Sequence, residues 1–151
     1  MGLFNLFKKP PTIQDDFFGV LTFMSFKDST KNYFEGKGKF KPTGEVIEYL
    51  VGGDLSGPTN EQREFYNKIQ DTYDAIMVKI TPLIEEEFKN WKEDFRIKDF
   101  KKEFKLVALT IPRLPSKPVV WDMSFDTLHD EDHQITVGFN DFEPEGISFD
   151  G

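Results

Sequence analysis

The segment His129-Asp130-Glu131-Asp132-His133 contains both histidines of the chain and three of its carboxylates. Two histidines four residues apart on a helix can share a zinc ion, as in the H-E-x-x-H pattern. Here an aspartate follows the first histidine, and the segment lies between two runs of alternating apolar residues, where a hairpin loop is expected. The spacing and central glycine of a calcium loop are missing. We therefore predict an acidic hairpin loop that holds no metal. A metal-binding or hydrolytic site at His129–His133 is kept as an alternative.

Few residues of the chain match the patterns of other catalytic sites. The chain has no cysteine, which excludes a thiolate nucleophile, a thiolate zinc site and a disulfide scaffold. No serine lies in the pattern of a nucleophile elbow. The stretch Gly36-Lys37-Gly38-Lys39 lacks the spacing of a phosphate-binding P-loop, so we predict that its glycines admit a large side chain close to a strand. We expect neither an enzyme activity nor a cofactor.

The negative charge is concentrated in the last third of the chain. The 151 residues include 27 acidic and 19 basic side chains, for a net charge of −8. This balance argues against nucleic-acid binding, because phosphate contacts need clustered lysine and arginine. Residues 106–151 alone contribute −7. Such a surface can steer a basic protein partner, or it can serve solubility only. The candidate partner-binding residues are Asp122, Asp126, Asp130, Glu131 and Asp132.

Apolar periodicity predicts strands on both sides of a helical region. Residues 17–51 show three alternating stretches and residues 106–150 about four. Between them, Thr59 and Gln62 fit a capping box. Apolar residues three and four apart then predict one long amphipathic helix, interrupted by Pro82; they are Phe65, Ile69, Tyr73, Ile76, Ile80, Ile84, Phe88 and Trp91. The predicted fold is α+β: a mostly antiparallel sheet, three strands before and four after the helix, with the helix on one face.

The chain length fits one domain. We predict that residues 15–151 form it and that residues 1–14 are a flexible or docking N-terminal segment. The apolar stretch at the start is too short for a secretory signal, and its lysines follow it. No apolar run approaches the roughly 18 residues that a membrane span needs. The expected location is therefore the cytoplasm, with no membrane contact.

Four short motifs punctuate the chain: Phe17-Phe18-Gly19-x-Leu21, then Tyr33-Phe34-Glu35-Gly36, then Gly57-Pro58 followed by Gln62 and Phe65, and finally Gly146-Ile147-Ser148-Phe149-Asp150-Gly151. In this order they resemble a family of small bacterial domains of unknown function, some of which look like toxin-immunity proteins. The resemblance implies a single-domain cytoplasmic protein and carries over no catalytic residue.

Resemblance and charge together predict a protein-binding module, an immunity protein that neutralises a secreted bacterial toxin by stoichiometric binding. The expected partner is a basic toxin domain, since a toxin that attacks nucleic acid presents a basic surface. The alternative is a structural or regulatory domain without a toxin partner.

Overall fold

The structure is a computed structural model that describes residues 9–150. Eight strands form one sheet, and their spatial order follows their order in the chain. The strands are β1 (Thr12–Asp15), β2 (Gly19–Met24), β3 (Tyr33–Phe40), β4 (Glu45–Gly52), β5 (Phe104–Ile111), β6 (Val120–Thr127), β7 (Asp130–Asn140) and β8 (Glu143–Asp150). Between β4 and β5 lie the helices α1 (Asn60–Asp71), α2 (Tyr73–Phe88) and α3 (Phe100–Glu103). A 3₁₀ turn at Ser29–Lys31 links β2 to β3.

The sheet is mixed, so the prediction of a mostly antiparallel sheet is wrong. Strands β4 and β5 pair in parallel, from Glu48 opposite Ala108 to Val51 opposite Ile111. Parallel neighbours need a crossover connection, which α1 and α2 provide. On each side of this junction four strands form an antiparallel meander. Side-chain alternation is the same in both strand directions, and for that reason it could not reveal the parallel pair.

The sheet begins with a short N-terminal strand that alternation does not predict. Thr12–Asp15 pair with β2 as strand β1, although residues 1–14 were expected to be a flexible or docking segment. Residues 1–8 of that segment lie outside the described residues.

The single long helix of the prediction is in fact two helices. The first ends at Asp71 and the second begins at Tyr73. Thr72 separates them with φ −107° and ψ 9°, and its hydroxyl donates to the carbonyl of Lys68. Pro82 lies inside α2 without interrupting it. The proline removes one backbone donor, but burial of the apolar side chains on both sides of it keeps the helix on the sheet.

The core lies between these two helices and one face of the sheet. The apolar residues predicted for the helix are buried, except for Trp91, which is 52% exposed. From the strands, alternate residues point to the same core, for example Trp121, Met123 and Phe125 in β6. Their neighbours lie on the opposite face, which none of the described helices covers. We call this second face the uncovered face. The α+β class is therefore right, while its topology is corrected.

Gly36 and Gly38 make room for Tyr49 on the neighbouring strand. A Cβ atom added to Gly36 would lie 2.8 Å from Tyr49 Cε1, and one added to Gly38 would lie 2.7 Å from the tyrosine hydroxyl oxygen. That hydroxyl is hydrogen-bonded to the carbonyls of Phe18 and Lys37. The glycines therefore admit a large side chain close to β3, as predicted, and the tyrosine ties three segments of the first meander together.

We expect Gly38→Ala to destabilise the protein by about 1–3 kcal/mol, because the new methyl group overpacks a well-filled site. Gly146→Ala is the matched control, since a Cβ atom there meets nothing within 4 Å. Both changes replace a strand glycine by alanine, so the difference between them isolates the contact with Tyr49. Urea unfolding midpoints measure it. Equal midpoints for the two variants would contradict this account.

Candidate functional site

The candidate site begins on the uncovered face of β6. Because Trp121, Met123 and Phe125 point into the core, Asp122 and Asp126 lie on the opposite face, as alternation predicts. Asp126 is exposed, whereas Asp122 is half-buried. The two carboxylates therefore share one side of the sheet but have different contact with solvent.

Asp122 sits between neighbouring strands that carry small residues. Thr110 of β5 and Gly138 of β7 are its cross-strand neighbours. The backbone N–H of Asp122 donates to Thr110 Oγ1 at 2.9 Å. Burial raises the pKa of the Asp122 carboxyl, a hydrogen bond from Thr110 opposes the rise, and the negative charge of Asp150 adds to it. Two carboxylates thus influence each other across the uncovered face.

Asp150 belongs to the same surface, although it is not among the residues predicted from the sequence. Its Oδ2 accepts a hydrogen bond from Thr136 Oγ1 at 2.9 Å, and Thr136 Oγ1 lies 2.9 Å from Ser124 Oγ. This hydroxyl chain holds the carboxylate against β6 and β7. The signal was present in the sequence: if Ile147 and Phe149 point to the core, Asp150 must point away from it.

The three remaining candidates lie at the adjoining end of the sheet. Thr127 of β6 pairs with Asp130 of β7, so the connecting turn contains only two residues. Asp130, Glu131 and Asp132 therefore belong to a strand, and the prediction of a loop is wrong here, because a two-residue turn brings Asp130 back beside β6. The register with β6 then shifts, and regular pairing resumes at Ile135 opposite Phe125. Glu131 and Asp132 are exposed. We call the six carboxylates together the acidic surface: Asp122, Asp126, Asp130, Glu131, Asp132 and Asp150.

The two histidines bind different carboxylates. His129 Nε2 lies 2.7 Å from Glu103 Oε1, whereas His133 Nδ1 lies 2.9 Å from Asp130 Oδ2. The His129 ring also packs on the rings of Phe88, Phe95 and Phe104. Within residues 9–150, no group of three or more histidine, aspartate or glutamate side chains is arranged to hold a metal ion.

Glu103 connects the hairpin turn to the segment before β5. One carboxylate oxygen faces His129, and the other accepts the backbone N–H groups of Lys98 and Asp99. Partial burial acts to raise the pKa of Glu103, but these hydrogen bonds together outweigh it and hold the pKa below the ordinary value of 4.5. A carboxylate with a lowered pKa stabilises the fold in its charged form.

We expect Glu103→Gln to lower the free energy of unfolding by about 0.5–1.5 kcal/mol at neutral pH, because the backbone N–H groups of Lys98 and Asp99 lose a charged acceptor. The Glu103 contribution is present above pH 4.5 and is lost as the pH falls through the lowered pKa. The difference from the unmodified protein should therefore shrink in acid. Urea unfolding at a series of pH values measures it, with the exposed Glu64→Gln as control. A difference that stays constant with pH would contradict the role given to Glu103.

The metal alternative has a direct test. Because each histidine has its own carboxylate partner, we expect elemental analysis of the purified protein to find no stoichiometric zinc or manganese. Stoichiometric metal that disappears in a His129→Gln, His133→Gln double variant would overturn this prediction. That result would support the metal-binding or hydrolytic alternative instead.

Comparisons of the chain with protein-family models, with curated proteins and with solved structures gave no match. Among the described residues, no helix is both long and apolar enough to cross a membrane. The functional assignment therefore depends on the charge and geometry of the acidic surface.

Proposed function

We propose that this protein is a binding module that associates stoichiometrically with a basic protein through the acidic surface. The partner class that fits is a basic toxin domain, and the protein would then be a cytoplasmic immunity protein. The observation that carries the proposal is the position of Asp122, Asp126 and Asp150 on a sheet face left uncovered by the described helices, beside an acidic hairpin.

The charge of this surface is poorly compensated nearby. Residues 106–151 contain two basic side chains against nine acidic ones. Lys105 is the cross-strand neighbour of Asp126, and its ammonium group is also 3.9 Å from Glu45. Lys92 lies at the hairpin, where its ammonium group donates to the carbonyl of His129 at 2.8 Å. These two lysines do not balance six carboxylates, so the acidic surface keeps a net negative field. Such a field accelerates association with a basic protein over distances up to about 8–10 Å at physiological salt.

Strand pairing and hydrogen bonds hold part of this surface in place, which supports a role in recognition. Asp122 is paired on both sides, with Thr110 and Gly138, whereas Asp126 is paired with Lys105 alone. The Ser124, Thr136 and Asp150 side chains are linked by hydrogen bonds across three strands. A surface ordered before binding loses less conformational entropy when a partner docks. The geometry therefore favours binding as a preformed template.

The test starts with capture of protein partners from the native host. Association kinetics then compare the unmodified protein with a variant in which Asp122, Asp126, Asp130, Glu131 and Asp132 become Asn or Gln. We expect the association rate at low salt to fall about tenfold or more and its salt dependence to flatten. The fold should persist, because these side chains lie outside the core.

The matched control removes five exposed carboxylates elsewhere and has the same net charge as the test variant: Glu61, Glu64, Asp71, Glu86 and Glu93. Equal association rates for the two variants would show that total charge matters and that the acidic surface does not. If no protein partner is recovered, the structural or regulatory alternative is favoured.

A further inference from the structure

The outer edge of β8 is a second place where a partner can bind. Strand β8 pairs with β7 on one side, and no other strand within residues 9–150 pairs with its other side. Unpaired N–H and C=O groups on a sheet edge are a template for another strand. β8 has eight residues, whereas β1, at the opposite edge, has four. The longer edge lies beside the acidic surface.

Three features that protect against edge pairing are concentrated in the first half of β8. Proline, charge and irregular register are the usual devices that protect an edge. Glu143, Pro144 and Glu145 are close together at the start of the strand, where the register with β7 also shifts. From Gly146 to Asp150 the pairing with β7 is regular, and it runs to the end of the strand. This second half is therefore an edge that a further strand can extend.

The two faces of this edge differ in chemistry. On the core side, Ile147 and Phe149 are only partly buried, and the Trp91 ring lies 4.9 Å from the Phe149 ring while remaining 52% exposed. On the uncovered face, Ser148 and Asp150 are exposed. A strand that adds here meets apolar rings on one face and negative charge on the other.

We propose that the Gly146–Asp150 edge binds an extended strand of the basic partner, with apolar side chains alternating with lysine or arginine. This inference depends on the proposed function for the charge of the partner, and it adds the mode of binding. The apolar side chains would cover Trp91 and Phe149, and the cations would lie next to Asp150. Backbone hydrogen bonds supply affinity in this mode, and the alternating side chains supply specificity.

A second copy of this chain fits the edge less well. Antiparallel pairing of β8 with another β8 would bring Asp150 of each copy towards the Glu143–Glu145 segment of the other. Like charges on opposed strands destabilise a sheet. The charge of the edge therefore selects a basic strand over self-association.

The probe is a synthetic peptide in which valine and lysine alternate. Its length, about eight residues, is within the usual range for a strand. Amide hydrogen exchange by NMR is recorded with and without it. We expect alternate amides between Gly146 and Asp150 to exchange at least about tenfold more slowly with peptide bound, because only every second N–H faces outward. Exchange at the β1 edge should not change.

Two control peptides separate strand addition from simple charge attraction. One has the same composition with the valines and lysines in two blocks, and the other alternates valine with glutamate. We expect neither to protect β8. Equal protection by the block peptide, or protection at β1 alone, would overturn the proposal, as would no protection of β8 by the alternating peptide.

A pair of variants tests the apolar face. We expect Trp91→Ala to weaken peptide binding several-fold, whereas Val78→Ala, which changes a side chain that is 75% exposed on α2, should leave it unchanged. Equal affinities for both variants would contradict the role given to Trp91. If the partner's association depends on the acidic surface but β8 stays unprotected in that complex, the proposed function stands and the strand-addition mode fails.

Discussion

Gln62 joins the two halves of the sheet at the point where the strands run parallel. Its Nε2 donates to the carbonyls of Gly52, at the end of β4, and Pro112, just after β5. Its Oε1 accepts the N–H of Thr59, which completes the capping box of α1. The side chain is 1% exposed, so a substitution without these groups would leave buried carbonyls unpaired. This one amide fixes the start of α1 at the junction between β4 and β5.

The two meanders differ in the side chains that they place on the two faces of the sheet. In the first, Tyr49 spans Gly36 and Gly38, and its hydroxyl reaches two carbonyls, so packing and hydrogen bonds concentrate on the core side. In the second, the core side is also apolar, but the uncovered face carries Asp122 and Asp150. Two carboxylates that repel each other contribute little to stability. The proposed binding role gives their position a reason that folding alone does not.

The residues with the clearest signal for chemistry serve structure. His129 packs among three aromatic rings, and its imidazole faces Glu103, which also accepts two backbone N–H groups. These contacts tie the two-residue turn between β6 and β7 to α3 and the start of β5. The exposed Glu131 and Asp132 follow directly after that anchored turn. The histidine thus helps to hold the acidic hairpin in place.

Side-chain periodicity by itself determined the α+β class, the buried stripe from Phe65 to Phe88 and the outward orientation of Asp122 and Asp126. The residue types at Thr59 and Gln62 determined the capping box. These properties depend on neighbours within a few residues, where the periods of helix and strand are directly visible. Only the tertiary structure decided that β4 and β5 are parallel and that Asp150 lies near Asp122, two strands away. Those outcomes depend on contacts between residues far apart in the chain, and local alternation is the same whichever strands become neighbours.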